Sequence, residues 1–246
     1  MNSPATPDLS ATHGPRYRLL HGPPPDGEHG DWLPADRLLS PGAPELARLL
    51  ESEHRGSGHR TAHAAALTLI AVYAGRVTAA AVLRWALDGQ VPDLRPRNVL
   101  VRPSGHGIGG VRVRSPRLLE PGLASLHRSV LDGHLLPLAD ALHTRTRAGL
   151  RQLRGGVAHG CATALCAASA PAEEMAARWA EFVARAPGGL SRLGEVERVV
   201  RADGTARAVY LRRTCCLFHT SAESVRCASC CLTPRTERLR AYARRT

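Results

Sequence analysis

The sequence predicts an α+β fold that is mainly helical: a helical body with small β-hairpins, then a C-terminal cysteine-rich tail. Three observations predict it. Apolar residues recur at helical spacing from Pro44 to Leu87 and again from Leu123 to Ala186. Alternation replaces that period in two short stretches, around residues 98–114 and 198–213. Just beyond Arg213, from Cys215 to Cys231, five of the seven cysteines crowd into seventeen residues. A chain of 246 residues is long enough to bury a core without covalent staples, as one large domain or two small ones.

Residues 1–43 are rich in Pro and Gly, with Pro23-Pro24-Pro25 at their centre, and read as a loosely draped arm. Trp32-Leu33-Pro34 would anchor it to the body. The arm has no basic start followed by an apolar run, so no signal peptide is expected and a cytoplasmic location is.

Residues 44–212 form the mainly helical body. Pro44 opens a helix at a position where its missing N–H does no harm. After Gly56-Ser-Gly58 comes the most apolar stretch, Thr61 to Leu87, read as a buried Ala-rich helix or a helix pair broken near Gly75. Arg76 interrupts it after about fifteen residues, short of the roughly 20 that a bilayer span needs, so no membrane span is expected. Residues Asn98–Arg102 and Gly110–Arg114 read as the arms of a hairpin. Gly105, Gly107 and Gly110 match G-x-G-x-x-G. A strand is expected after them, so no helix N-terminus would receive a pyrophosphate. His106 reads as an exposed loop histidine. Helices follow from Leu123 to Leu153, Gly156 to Ala170 and Pro171 to Ala186. His127, His134, His143 and His159 in them read as surface residues, and Cys161 and Cys166 as small buried hydrophobes. Asp203-Gly204 marks a second hairpin whose outgoing arm runs into Cys215. Pro234 to Arg245 reads as a final basic helix.

All 33 basic residues are arginine, and the net charge of +12 is the footprint of a nucleic-acid binder. Only nine aromatic side chains accompany them, and no reading element is visible. The absence of lysine excludes a Walker loop. Arginine is concentrated in one place, from Arg212 to the end, with eight Arg against Glu223 and Glu237. Such a patch would stabilise an anionic centre or steer an acidic partner.

That tail, residues 213–246, carries Cys215-Cys216, Cys227, Cys230 and Cys231, a C-C-x10-C-x2-C pattern with one extra thiol. An odd cysteine count without a secretory signal argues against disulfides. Zinc and iron–sulfur remain. Cys227-x2-Cys230 is an ordinary zinc half-site, but adjacent Cys215 and Cys216 diverge along an extended segment. Two metals accept divergent thiolates more readily than one.

The same pattern near a C-terminus, preceded by a basic residue, resembles the cluster-binding tail of FhuF-type ferric-siderophore reductases. Weaker likeness extends over roughly residues 45–240: Tyr73-Ala-Gly-Arg76, Pro96-Arg-Asn98-Val-Leu-Val101, and Gly155 through Leu165. The last departs at Arg154-Gly155-Gly156, where the family has Trp-Gly-Asn. The resemblance implies a [2Fe-2S] cluster held by Cys215, Cys216, Cys227 and Cys230, with Cys231 a departure from the pattern. It implies an oxidoreductase that passes one electron to siderophore-bound Fe(III), hydroxamate type expected, with an acidic ferredoxin or a reductase as donor. No catalytic acid, base or nucleophile is then required, in keeping with the absence of a recognisable triad. The alternative is an iron–sulfur or zinc regulatory protein that binds nucleic acid through its arginines.

Overall fold

The computed structural model describes residues 9–244 and shows the expected α+β architecture dominated by helix. The arm departs from the sequence reading. From residue 9 it carries a short helix α1 (Ser10–His13) and two two-residue strands, β1 (Leu20–His21) and β2 (Leu33–Pro34). Both strands join the body's sheet, and Tyr17, Trp32, Leu33 and Leu38 are buried. The Tyr17 hydroxyl donates to Ala164 O at 2.5 Å. The Trp32 ring is flanked by the guanidinium groups of Arg102 and Arg112, 5.2 and 5.0 Å from its centroid. The expected anchor at Trp32-Leu33-Pro34 is therefore a strand and an arginine-flanked ring; from residue 9 on the arm is not loosely draped, and the reading of residues 1–8 lies outside the described residues.

Helix α2 (Pro44–Ser57) ends at Gly58 in the left-handed conformation. Helix α3 (Ala62–Val77) is capped by the Thr61 hydroxyl, which accepts from Ala64 N, and α4 (Ala79–Asp88) follows across a 45° bend. The break lies at Thr78, close to the expected Gly75. No single helix among the described residues is long and apolar enough to cross a membrane.

Strands β3 (Val91–Pro92), β4 (Val99–Pro103), β5 (Ile108–Val113) and β6 (Leu118–Leu119) come next. The main sheet has the order β1-β5-β4-β2. β4 and β5 form the expected antiparallel hairpin, β1 runs parallel to β5, and β2 runs antiparallel to β4. As expected, a strand follows Gly110 and no helix does.

The next rod begins as α5 (Leu123–Leu126), widens into a π-helical stretch at His127–Leu135, and continues as α6 (Leu136–Thr146). Pro137 has no N–H to give to Gly133 O, and that is a physical reason for the wider winding before it. His127 and His134 are buried here, against the surface reading. Burial is permitted because His134 is fully bonded. Its Nδ1 donates to Leu94 O at 2.9 Å, and the Tyr73 hydroxyl donates to Nε2 at 2.8 Å. Leu94 O can only accept, which fixes the neutral tautomer. His127 stands edge-on to Phe182.

Helix α7 (Leu150–Cys166) is the spine of the body, lying against α3, α4, α6, α8 (Ala172–Ala184) and the second hairpin. It crosses α3 at a seam of small residues. A methyl group on Gly160 would lie 2.5 Å from Ala74 Cβ and from Gly75 N, so only glycine permits this approach. Strands β7 (Gly194–Val200) and β8 (Ala206–Arg212) pair from Gly194↔Arg212 to Val200↔Ala206 around the expected Asp203-Gly204 turn. Helix α9 (Arg235–Arg244) covers the outer face of this hairpin, setting Leu239, Tyr242 and Ala243 on Val199, Val209 and Leu211.

Candidate metal centre

Side chains alternate along β8. Val209 and Leu211 face α9, and the alternate residues Ala208, Tyr210 and Arg212 turn the other way, where Tyr210 meets His159 of α7 and Trp179 of α8. Arg212, the last of them, is 2% exposed. Its Nε and Nη2 are buried without a hydrogen-bond partner. An uncompensated buried cation costs several kcal/mol, and the groups around it are thiols. Its positive charge acts on Cys215, Cys216, Cys227 and Cys231, and also on Tyr210 and His159.

Three anchors hold the cysteine segment. Thr214 seats against α7 at Gly155, where a methyl group would come within 1.9 Å of Thr214 Oγ1. The Thr68 hydroxyl of α3 reaches Cys216 O at 3.4 Å. Ala222 N donates to Ser57 O at 2.9 Å, which ties the loop to the end of α2. Leu217 takes the left-handed conformation, and the chain reverses there.

All seven cysteines are free thiols. Cys216 and Cys230 are buried, and Cys215, Cys227 and Cys231 are half-buried. Cys216 Sγ and Cys227 Sγ lie 3.8 Å apart. The shared contact pulls the Cys216 thiol down and pushes the Cys227 thiol up. Burial pushes the Cys215 and Cys231 thiols up as well. Backbone donors already point at sulfur: Leu217 N–H reaches Cys215 Sγ at 3.4 Å, and the Phe218 amide serves Cys216. His219 Nδ1 lies 4.0 Å from Cys215 Sγ. Cys230 N donates to Cys227 O at 2.9 Å, closing the tight turn expected of C-x2-C.

The structure thus brings the four sequence-designated cysteines and Cys231 into one region, with Arg212 acting on Cys215, Cys216, Cys227 and Cys231 and with Cys216 and Cys227 in contact. Among the described residues no three His, Cys, Asp or Glu side chains converge on one metal position. Cys161 is fully buried in α7, its thiol pushed up to about 12 by desolvation, as expected of a small hydrophobe.

The donor set and its surroundings fit a group of net negative charge. Arg212 keeps two unbonded N–H groups, and its charge acts on Cys215, Cys216, Cys227 and Cys231. Unspent donors around thiolates are what an anionic metal–sulfur centre takes up.

Sequence reasoning missed a buried support on the far side of the loop. Glu53, 1% exposed, accepts from Gly107 N at 2.8 Å and bonds His106 Nδ1 at 2.8 Å. Phe218 stacks on His106 and meets His59 edge-on, and His59 bonds Thr68 and Thr220. His106 is an exposed loop residue as expected, but it also links the β4–β5 turn to the cysteine loop. Asn98 spends its side chain on Asp93 O, Ser115 O and Ser115 N. The basic tail is partly spent internally. Arg213 and Arg235 pair with Glu195 and Glu197, and Arg238 donates to Arg212 O and Ser229 O. Comparison with models of known protein families gives no match, and comparison with curated proteins gives none.

Proposed function

We propose that this chain is a cytoplasmic iron–sulfur electron-transfer protein that reduces siderophore-bound Fe(III) to Fe(II). Cys215, Cys216, Cys227 and Cys230 would hold a [2Fe-2S] cluster, which when bound supplies the uptake and delivery of one electron. The observation that carries this reading is the set of free thiols around Arg212, a buried guanidinium with unbonded Nε and Nη2. Arg212 offsets negative charge at the sulfurs and favours the more reduced state. The amides of Leu217 and Phe218 act in the same sense.

Fe(III) in a hydroxamate chelate is held by hard oxygen donors, and Fe(II) is held far more weakly, so one added electron releases the metal with the chelator intact. The balance is one electron in from an acidic donor, a ferredoxin or a reductase, and one electron out to the iron. Arg226, Arg240 and Arg244 are exposed and form no ion pair among the described residues, which suits them to steering that donor.

The test is a reoxidation experiment. Anaerobic protein is reduced, then mixed with a ferric trihydroxamate and an Fe(II) trap. The expected result is reoxidation of the centre with trapped Fe(II) appearing in step. A centre that stays reduced contradicts the reductase reading even where the cluster is present.

A further inference from the structure

A cleft of about 260 Å³ opens between the N-terminal arm, α3, β5 and α7. Its lining includes Arg16, Arg76, His159 and Thr163, with Val72, Gly75 and Ile108 among the remaining residues, and among the described residues it holds no Asp or Glu. Arg16 Nη1 donates to Thr163 O at 3.3 Å, and Arg76 Nη1 to Arg16 O at 2.7 Å. These bonds fix the two guanidinium groups without neutralising them, and neither forms an ion pair among the described residues. A second cleft offers the contrast. Its Arg48, Arg55 and Arg102 meet Asp31, Glu51 and Glu28 respectively.

His159 lines the cleft, and its ring lies 5.8 Å from that of Tyr210 on β8, the strand that runs into the cysteines. Its Nδ1 is enclosed and unbonded, and burial, with Arg212 and Arg16 nearby, holds the ring neutral. The cleft is also placed for the proposed reaction. His159 lies one turn beyond Gly155, where Thr214 seats, and Val72 one turn beyond Thr68, which reaches Cys216 O. Four residues of helix advance about 6 Å, so both helices put the cleft one turn from the cysteine segment.

We propose that this cleft binds a carboxylate arm of the iron chelate, gripped by Arg16 and Arg76. The inference rests on the reductase reading above and adds a substrate class, chelates that carry a free carboxylate. A cleft below the usual range of about 300–1,000 Å³ takes one such arm and leaves the body of the chelate outside. Planar guanidinium forks suit carboxylate oxygens in pairs.

Gallium(III) complexes separate this proposal from the redox reading, because Ga(III) is not reduced under these conditions and binding alone is read. The full-length protein as purified is titrated calorimetrically with three probes: a gallium trihydroxamate bearing a free carboxylate, the same chelate amidated at that carboxylate, and citrate alone. The carboxylate chelate is expected to bind at least about tenfold tighter than its amide. That difference should disappear in Arg16→Gln and Arg76→Gln and persist in Arg48→Gln, with circular dichroism confirming the fold of each. Equal affinity for the two chelates, or a preference that survives both cleft substitutions, overturns the proposal. Citrate binding as tightly as the carboxylate chelate, with the same arginine dependence, overturns the assignment to a chelate arm and gives the cleft to a free small anion. A failed reoxidation experiment leaves these binding outcomes readable on their own terms.

Discussion

Arg212 and the sulfurs around it can be tested one side chain at a time. A unit charge a few ångströms away, at an effective dielectric of about 20, is worth a few kcal/mol. Arg212→Gln should therefore lower the reduction potential of the centre by on the order of 100 mV in a redox titration. An unchanged potential would show that the guanidinium does not act on the centre. Cys227→Ser should abolish the visible chromophore and Cys166→Ser should leave it, because Cys166 sits on α7 with its thiol pushed up to about 12 by burial. Equal bleaching in both variants would overturn the ligand assignment. The cysteines were legible in the sequence because their spacing is itself chemical information. Arg212 was not, since a chain with 33 arginines gives no sign of which one is buried. Its burial follows from alternation: Ala208, Tyr210 and Arg212 share one face of β8, and that face is claimed by α7 and α8.

Among the elements, α7 does the positioning, and Gly155 is the point of contact. Gly155→Ala would drive a methyl group into Thr214. Overpacking of this kind costs about 1–3 kcal/mol. The expected outcome is a lower denaturation midpoint and reduced metal content, both partly restored when Thr214→Ala is added. A Gly155→Ala protein with full stability and full metal content would show that Thr214 has room to shift. Helices α2, α3 and α8 and the Asp203-Gly204 hairpin were legible because each is long or has a strong turn signal. Helix α7 was expected as two pieces parted between Leu153 and Gly156, but it runs unbroken from Leu150 to Cys166 because its glycines lie against α3 and Thr214. The strands of the arm were not legible. Two residues are too few to show a period, and Leu20-His21 and Leu33-Pro34 are strands only because β5 and β4 present open edges to them. His134 was misread as a surface residue for a similar reason: its two partners, Tyr73 and Leu94, come from distant parts of the chain.

Across the whole molecule, buried histidines set how the fold responds to acid. Desolvation lowers His59, His127 and His159 below their usual value of 6.5 and brings His134 to about 4. The unfolded chain therefore takes up protons first as pH falls. The histidine contribution is intact above about pH 6.5 and is lost below it, reaching about 3 kcal/mol for His134 alone near pH 4. Glu53 acts in the opposite sense, because burial raises its carboxyl and the cost of ionising it eases in acid. Four rings against one carboxyl give a net loss, so the denaturant midpoint followed by circular dichroism should drop between pH 7 and pH 5. A flat profile would contradict the burial of these rings. The central claim is that the C-terminal thiols hold a two-iron centre able to take up a single electron. Iron, sulfide and zinc analysis of anaerobically purified protein, with absorption and electron paramagnetic resonance spectra before and after reduction, tests it most directly. About two irons and two sulfides per chain, with a paramagnetic signal only after reduction, is the result expected of such a centre. One zinc per colourless chain, or thiols joined to one another with no metal, would contradict it.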